Sequence, residues 1–476
     1  MKENMGANNF IILLIMISSE REEKKVNITK DLESKSIGRL LLMFSVPAVI
    51  GMLVNALYSV VDRIFIGRGV GSLALSGVAV TLPITNIIMG VGMLIGIGAS
   101  TIVSIKLGQK KYEEAEKIVG NAFLLTIILT LIVTVIGLIF LKPLLEMLGA
   151  SAETMPYAIT FSRILLLGSV LQNIGFGLNS IIRSEGDAKT AMNTMLIGAV
   201  LNTILNPIFI FIFKLGVAGS ALATLISQAV CSIWVILYLT RKSLIKLKKC
   251  NLKLSSHIVV DISSIGISPF IMQVAASVVT IIFNNSLKNY GGVLAQGAFS
   301  LIMCIAMLIL MPSFGVNQGA QPIIGYNYGA GNIRRVKKTL LYSIIVNTCI
   351  SFLGWILIEL FSTPIIKLFN KDDLEMIQIA SNGLRIYLVA ILIVGAQTAC
   401  INYFQSVRKA LVSMTLSLLR QVVILIPFVI ILPHFFDLNG IWYSGPISDV
   451  VSTVVCAILI IIEMRRLKPS GTPSQN

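Results

Sequence analysis

Residues Ser45 to Gly71 read SVPAVIGMLVNALYSVVDRIFIGRGVG, an apolar run with a proline at 47, an asparagine at 55, an aspartate at 62 and arginines only at 63 and 68. As a helix, a run of this length crosses about 30 Å of hydrocarbon. That solvent offers no hydrogen-bond partners, so each segment must satisfy its own amides, and helix is the structure that does so. The pattern recurs along the chain. Twelve spans are expected at 40–65, 73–105, 118–141, 157–182, 188–213, 217–240, 258–287, 293–328, 339–362, 377–405, 410–432 and 440–463. Alternating segments of about ten residues, which a β-barrel needs, are absent.

Composition agrees. Of 476 residues, 55% are hydrophobic and 13% charged, where soluble domains carry about 25% charged residues; the mean hydropathy is +0.88. The net charge of +16 would suggest a nucleic-acid partner in a soluble protein. Here it follows from topology. With both termini in the cytoplasm, 28 of the 38 basic residues lie on that side and 7 on the other, with Arg163, Arg385 and Arg420 inside spans or at their edges. This is the positive-inside bias, and no nucleic acid is needed to explain it. The six cysteines form no CxxC pair and read as small hydrophobes. Phe10 to Ser18 is apolar but too short to span; residues 1–36 read as a cytoplasmic leader, unstructured or interfacial.

An internal repeat sets the architecture. A shift of 221 or 222 residues carries Pro47 onto Pro269, Gly108 onto Gly329, Arg163 onto Arg385, Ser184 onto Ser406, Met192 onto Met414 and Gly219 onto Gly440. Six spans per half is an even number, so both halves insert the same way round, and their symmetry axis runs along the membrane normal. The expected fold class is an all-α polytopic membrane protein, twelve transmembrane helices in two six-helix lobes related by that pseudo-two-fold axis. The divisions are an N-lobe at 37–241, a cytoplasmic linker at 242–257, a C-lobe at 258–464 and a cytoplasmic tail at 465–476. Gly108 to Lys117 and Gly329 to Lys338 are expected as short amphipathic cytoplasmic helices or charged turns.

Four stretches carry a family resemblance: Ser45 to Gly71 above; LNTILNPIFIF (Leu201 to Phe211) with LGVAGSALATLISQ (Leu215 to Gln228); NQGAQPIIGYNYGAGNIRRVKK (Asn317 to Lys338); and SLLRQVVILIP (Ser417 to Pro427) with LNGIWYSGPISD (Leu438 to Asp449). Together they resemble the multidrug and toxic compound extrusion (MATE) family from about residue 37 to 465, in its bacterial drug-exporting branch rather than its eukaryotic one. The resemblance implies a monomeric antiporter of the bacterial inner membrane. Protons or sodium ions would run in while amphiphilic, often cationic compounds run out, with no cofactor and no enzymatic activity.

Asp62 is the candidate coupling residue. A carboxylate inside a span costs roughly 2.5–3.5 kcal/mol on insertion scales, so one that persists points to function. The competing reading pairs it with Arg63 at a solvated helix end, since Asp62 lies 22 residues beyond Leu40, about 33 Å at about 1.5 Å per residue. Asn202 and Asn206 share a helix face, and Thr224 follows in the next span. Where this chain has Asn206 the family often has Asp, which puts a two-carboxylate proton relay in doubt. With Asp62 these oxygens suit sodium as well as a proton; interhelical hydrogen bonding is the plainer alternative. The repeat carries Asp62 onto Asn284, beside Asn285, so the C-lobe is expected to be polar without a carboxylate. Asn317, Gln318 and Gln321 form a polar patch expected to line a cavity. An adaptable apolar lining for lipophilic cations would draw on Met52, Met89, Met93, Met272 and Met303, with the rings of Tyr58 and Phe283. Arg420, inside span eleven, calls for a partner the sequence does not name.

An enzyme has little to rest on: His257 and His434 are the only histidines, and HExxH, GxSxG and Walker A are all missing. A flippase for a lipid-linked oligosaccharide or lipid intermediate is the serious rival, although its cavity would hold more cationic residues than these spans offer.

Overall fold

The computed structural model describes residues 32–367 and 374–467, almost entirely as helices. The apolar leader segment, Lys371 and most of the tail lie outside the described residues. Spans 1 to 6 are Ile37–Gly69, Leu82–Gly108, Tyr112–Ile139, Met155–Ser184, Ala188–Ile212 and Gly216–Lys242. Spans 7 to 9 are Ser256–Gly292, Leu294–Gly329 and Ile333–Lys367, and spans 11 and 12 are Ala410–Ile431 and Pro433–Arg466. Span 10 is broken: Glu375–Tyr387 and Ile391–Ser406 meet at a 50° bend. The protein is an all-α, multi-pass membrane protein.

Several expectations need correction. The single run at 73–105 is two helices, Ser72–Val80 and Leu82–Gly108, parted at Thr81. Pro83 has no amide hydrogen to continue the ladder, and the Thr81 hydroxyl instead donates to the Val78 carbonyl at 2.7 Å. No separate helices follow Gly108 or Gly329. Each is succeeded by a tight turn, with left-handed backbone at Lys110 (φ 61°) and at its repeat mate Gly331 (φ 72°). Of the cysteines, Cys231, Cys400 and Cys456 are buried, but Cys250 and Cys349 are exposed.

The lobes are joined at one end and separate at the other. The largest apolar core mixes Leu41, Ile95 and Ile102 of the first half with Ile265, Ile324 and Tyr326 of the second. Beyond it each lobe has its own core, around Ile66, Phe161 and Ile210 in the N-lobe and around Phe283, Phe299 and Trp442 in the C-lobe. Of the eleven unbroken spans, span 2 is the most enclosed, with 78% of its apolar window buried, against 28% for span 3. Span 3 turns Leu131, Val135 and Ile139 outward, a stripe suited to lipid.

Glycine makes the joint possible. A Cβ on Gly108 would lie 2.0 Å from the Tyr326 carbonyl oxygen, and one on Gly329 would lie 2.1 Å from that of Ile105. These repeat-related glycines pack across the lobes. Further along the seam, the Gln321 amide donates to the hydroxyls of Thr101 at 2.8 Å and Ser100 at 3.2 Å.

The interlobe linker is strapped to the N-lobe on the same side. The buried carboxylate of Glu185, between spans 4 and 5, accepts from the Ser243 hydroxyl at 2.7 Å and the Leu244 amide at 2.8 Å. Lys248 pairs with Glu116 at 2.5 Å, and the Ser255 amide donates to Asn121 at 2.7 Å. Burial pushes the Glu185 carboxyl up to about 7. Both described ends of the chain converge here, through Arg335 on the Leu32 and Lys35 carbonyls and Lys337 on that of Leu467, as an even number of crossings requires.

Candidate functional site

Asp62 lies in the third of span 1 farthest from the joined end, half-buried between spans 5 and 6. The Asn206 amide nitrogen donates to its Oδ1, and the Ser220 hydroxyl donates to the same oxygen at 2.6 Å. One turn away on the same two helices, the Asn202 amide donates to the Thr224 hydroxyl at 3.0 Å. The local sequence explains the geometry. Asn202 and Asn206 are four apart, as are Ser220 and Thr224, so each pair projects from one face and the two faces meet as a ladder. Pro207 cannot extend the α-ladder, and a π-helical turn, Ile208–Ile212, follows it. That turn carries Ile210 and Phe211 against the end of span 1, where both approach Gly69. Ile210 joins Ile66 in the outer N-lobe core, and Phe211 meets Phe65 edge-on at 6.2 Å.

The four expected coupling residues therefore sit together, with one more that sequence reasoning passed over. Ser220 was legible as the residue one turn before Thr224. Arg63 is exposed and makes no ion pair with Asp62; among the described residues no cation does. Asn206 is fully buried, and its Oδ1 has no hydrogen-bond partner.

The expected cavity residues divide into separate environments. Met52 packs with Met311 of span 8 at the point where the lobes join, and the Gln318 amide lies 3.9 Å from its sulfur. Gln318 and Gln321 thus belong to the lobe seam. Asn317 is buried inside the C-lobe, accepting from Asn347 at 2.9 Å and, through its carbonyl, from Asn402 at 3.0 Å. Phe283 is core, stacked on Phe299 at 4.8 Å. Asn284 is half-buried and its carbonyl accepts from Gln296 at 2.9 Å, whereas Asn285 is exposed. Tyr58, one turn before Asp62, is half-buried, as are Met89, Met93 and Met272, and Met303 is exposed.

The C-lobe also departs from the expected absence of a carboxylate. Asp449 of span 12 is buried and accepts from Nε of Arg420 at 2.6 Å, which supplies the missing partner of that arginine. The Ser448 hydroxyl donates to the Arg420 carbonyl at 2.5 Å. Arg420 stands on a π-helical turn, Leu419–Ile424. Under the repeat its counterpart is Gly198 and that of Asp449 is Gln228, so spans 5 and 6 pack without such a pair.

Known proteins share this architecture and sequence pattern. The MatE family model matches twice, at residues 47–208 and 269–431, two copies offset by the repeat length. The chain is 28% identical over 440 residues to the multidrug export protein MepA of Staphylococcus saprophyticus, covering 91% of this chain and 96% of that one. It is likewise 28% identical over 444 residues to MepA of Staphylococcus aureus, with the same coverage. Among solved structures, one described as the outward-facing conformation of a multidrug resistance MATE family transporter of the MOP superfamily superposes with a TM-score of 0.86 at 26% identity. A MOP superfamily transporter from Pyrococcus furiosus does so equally well. In both, the match covers 92% of this chain and 98% of the other. With its two halves matched in register, the chain belongs to the MatE family, the multidrug and toxic compound extrusion transporters, which are not enzymes.

Proposed function

We propose that the protein is a monomeric secondary antiporter of the bacterial cytoplasmic membrane, with both termini cytoplasmic, that exports lipophilic and often cationic compounds in exchange for protons or sodium ions. The observation that carries this reading is Asp62: an intramembrane carboxylate between three helices whose partners are neutral, the Asn206 amide and the Ser220 hydroxyl. Such a charge is costly in a bilayer and becomes cheap when a proton or a cation joins it.

The same contacts suggest how occupancy is sensed. With Asp62 ionised, Asn206 presents its amide nitrogen and leaves Oδ1 without a partner. A protonated Asp62 would be a donor, and a bound sodium ion would draw oxygen ligands, so either occupant favours turning Oδ1 of Asn206 inward. The donor set of carboxylate, carboxamide and hydroxyl oxygens fits a hard monovalent cation. Reorganisation here would draw spans 5 and 6 onto span 1 and change how span 1 packs against span 8.

The joined and separate ends support alternating access. Positive-inside orientation puts the joined end at the cytoplasm, so this conformer is closed inward and its lobes part outward. The close superposition on a transporter captured in its outward-facing conformation supports that assignment. Rocking would open the glycine seam and bring the outer halves together.

The test is ethidium transport in proteoliposomes with pH and sodium gradients imposed separately. Transport driven by one gradient and lost in Asp62→Asn at unchanged expression is expected. Coupled transport surviving in Asp62→Asn would overturn the coupling site. Transport indifferent to both gradients, or none of any cationic dye, would favour the flippase.

A further inference from the structure

The Arg420–Asp449 pair is a charged element of the C-lobe that the Asp62 site does not use. Span 11 has two faces. Leu411, Val423 and Ile430 are exposed, whereas Ser413, Ser417 and Ile424 are buried, and the Ser413 hydroxyl lies 3.0 Å from that of Ser268 on span 7. Arg420 follows Ser413 by two turns and Ser417 by one, so it shares the buried face. The π-helical turn at 419–424 adds a residue to the winding, which carries Val423 back to the lipid side. The guanidinium therefore points into the lobe, where 28% of the side chain still meets open space.

Its hydrogen bonding is incomplete. Nε is engaged by Asp449, and among the described residues neither terminal nitrogen has a partner. That edge of two parallel N–H donors matches a carboxylate. A buried ion pair is seldom kept for stability, since apolar replacements commonly do as well. Gly198 and Gln228 at the repeat-related positions, both uncharged, show that this helix pairing does not require one.

An aromatic wall adjoins the pair. One turn before Asp449, Gly445 lets the Tyr387 ring rest on span 12, where a Cβ would come within 2.5 Å of it. Tyr387 continues edge-to-face into Phe283 and Phe299, each at 5.9 Å.

We infer that the Arg420 guanidinium, held by Asp449 on span 12 and flanked by Tyr387, is a recognition site for the carboxylate of an aromatic amphiphile carried by the C-lobe. A monoanion suits it better than a phosphate, because Asp449 already neutralises the arginine. The lobes then differ in polarity, with a carboxylate at Asp62 in one and an open guanidinium edge in the other. This rests on the exporter reading and narrows its substrates.

The experiment is equilibrium binding of norfloxacin, a zwitterion, and its methyl ester to the purified full-length protein in detergent. Wild type is expected to bind the acid about tenfold more tightly than the ester, the difference one charge-assisted contact provides. Arg420→Gln alone would leave Asp449 buried and unpaired, so the informative variant is Arg420→Gln with Asp449→Asn, neutral at both positions. There the acid-to-ester ratio should fall to about one, with a monodisperse elution profile and a cooperative thermal transition showing that the protein is folded. An equal ratio in wild type and a folded double variant would overturn the inference. If the double variant does not fold, Arg420→Lys decides, because it keeps the charge but removes the two-nitrogen edge; an undiminished preference for the acid would overturn the inference equally. Ethidium export by wild type, measured separately, bears on the exporter reading alone.

Discussion

Replacing Gly329 or Gly108 with alanine should unlock the joined end of the molecule. A Cβ on Gly329 would stand 2.1 Å from the Ile105 oxygen and 2.9 Å from that residue's Cα. One on Gly108 would stand 2.0 Å from the Tyr326 oxygen and 2.9 Å from the Ala330 nitrogen. Backbone atoms cannot yield as a side-chain tip can, so spans 2 and 8 must part by about 1 Å or break their seam. Overpacking of this kind costs roughly 1–3 kcal/mol. If the opposite conformer separates these helices, the whole cost falls on the joined state, and its population relative to the other drops about 5- to 150-fold. Spin labels at Gln109→Cys and Asn332→Cys, in a chain whose native cysteines are serine, would report the change as a distance distribution by double electron–electron resonance. The joined state gives a short distance, and each alanine variant should move weight to longer ones. Gly38→Ala is the control, since its Cβ would sit an ordinary 3.6 Å from Tyr342. A folded Gly329→Ala protein with the wild-type distribution would refute the idea that the seam is a gate.

Three further outcomes are expected. Gln321→Leu removes two interlobe hydrogen bonds, each worth about 0.5–1.5 kcal/mol, and should shift the same distance distribution in the same direction. Ser220→Ala leaves Asp62 with the Asn206 amide as its remaining donor among the described contacts; gradient-driven ethidium transport should fall several-fold in rate, less than in Asp62→Asn, and an unchanged rate would remove Ser220 from the site. Glu185 titrates near 7 in the folded protein against 4.5 for a free side chain, so between those values the folded state holds a proton that the unfolded state has released. Stability must then fall as pH rises from about 5 to 7, by on the order of 3 kcal/mol. Thermal unfolding of Glu185→Gln should lack that slope, and an identical slope in both proteins would show that Glu185 is not its source.

The span pattern, the repeat and the clustering of Asn202, Asn206 and Thr224 near Asp62 were legible because each rests on a local rule. Apolar length marks a crossing, and residues four apart share a face, as Asn202 and Asn206 do. The bend in span 10 was not legible, since Leu388 to Ala390 contain neither proline nor glycine and the break depends on tertiary packing. That Gln318 and Gln321 meet the other lobe in this conformer was not legible for a related reason. A polar stripe shows that a helix face avoids lipid, but whether it meets water or another helix depends on which conformer closes over it. Arg420 and Asp449 lie 29 residues apart in neighbouring spans. Their pairing depends on how the π-helical turn rotates span 11, and composition carries no trace of that winding.

The shared core at the joined end has a consequence for how the chain is made. Span 2 is complete by Gly108, yet the helix that covers its glycine face is not finished until Gly329, some 220 residues later in synthesis. Through that interval the N-lobe would sit in the bilayer with a bare, glycine-lined groove where lipid tails pack poorly and another nascent chain could dock. The first half would then be the vulnerable stage of biogenesis. Expressed alone it should self-associate or be degraded, and supplying the second half as a separate polypeptide should rescue it.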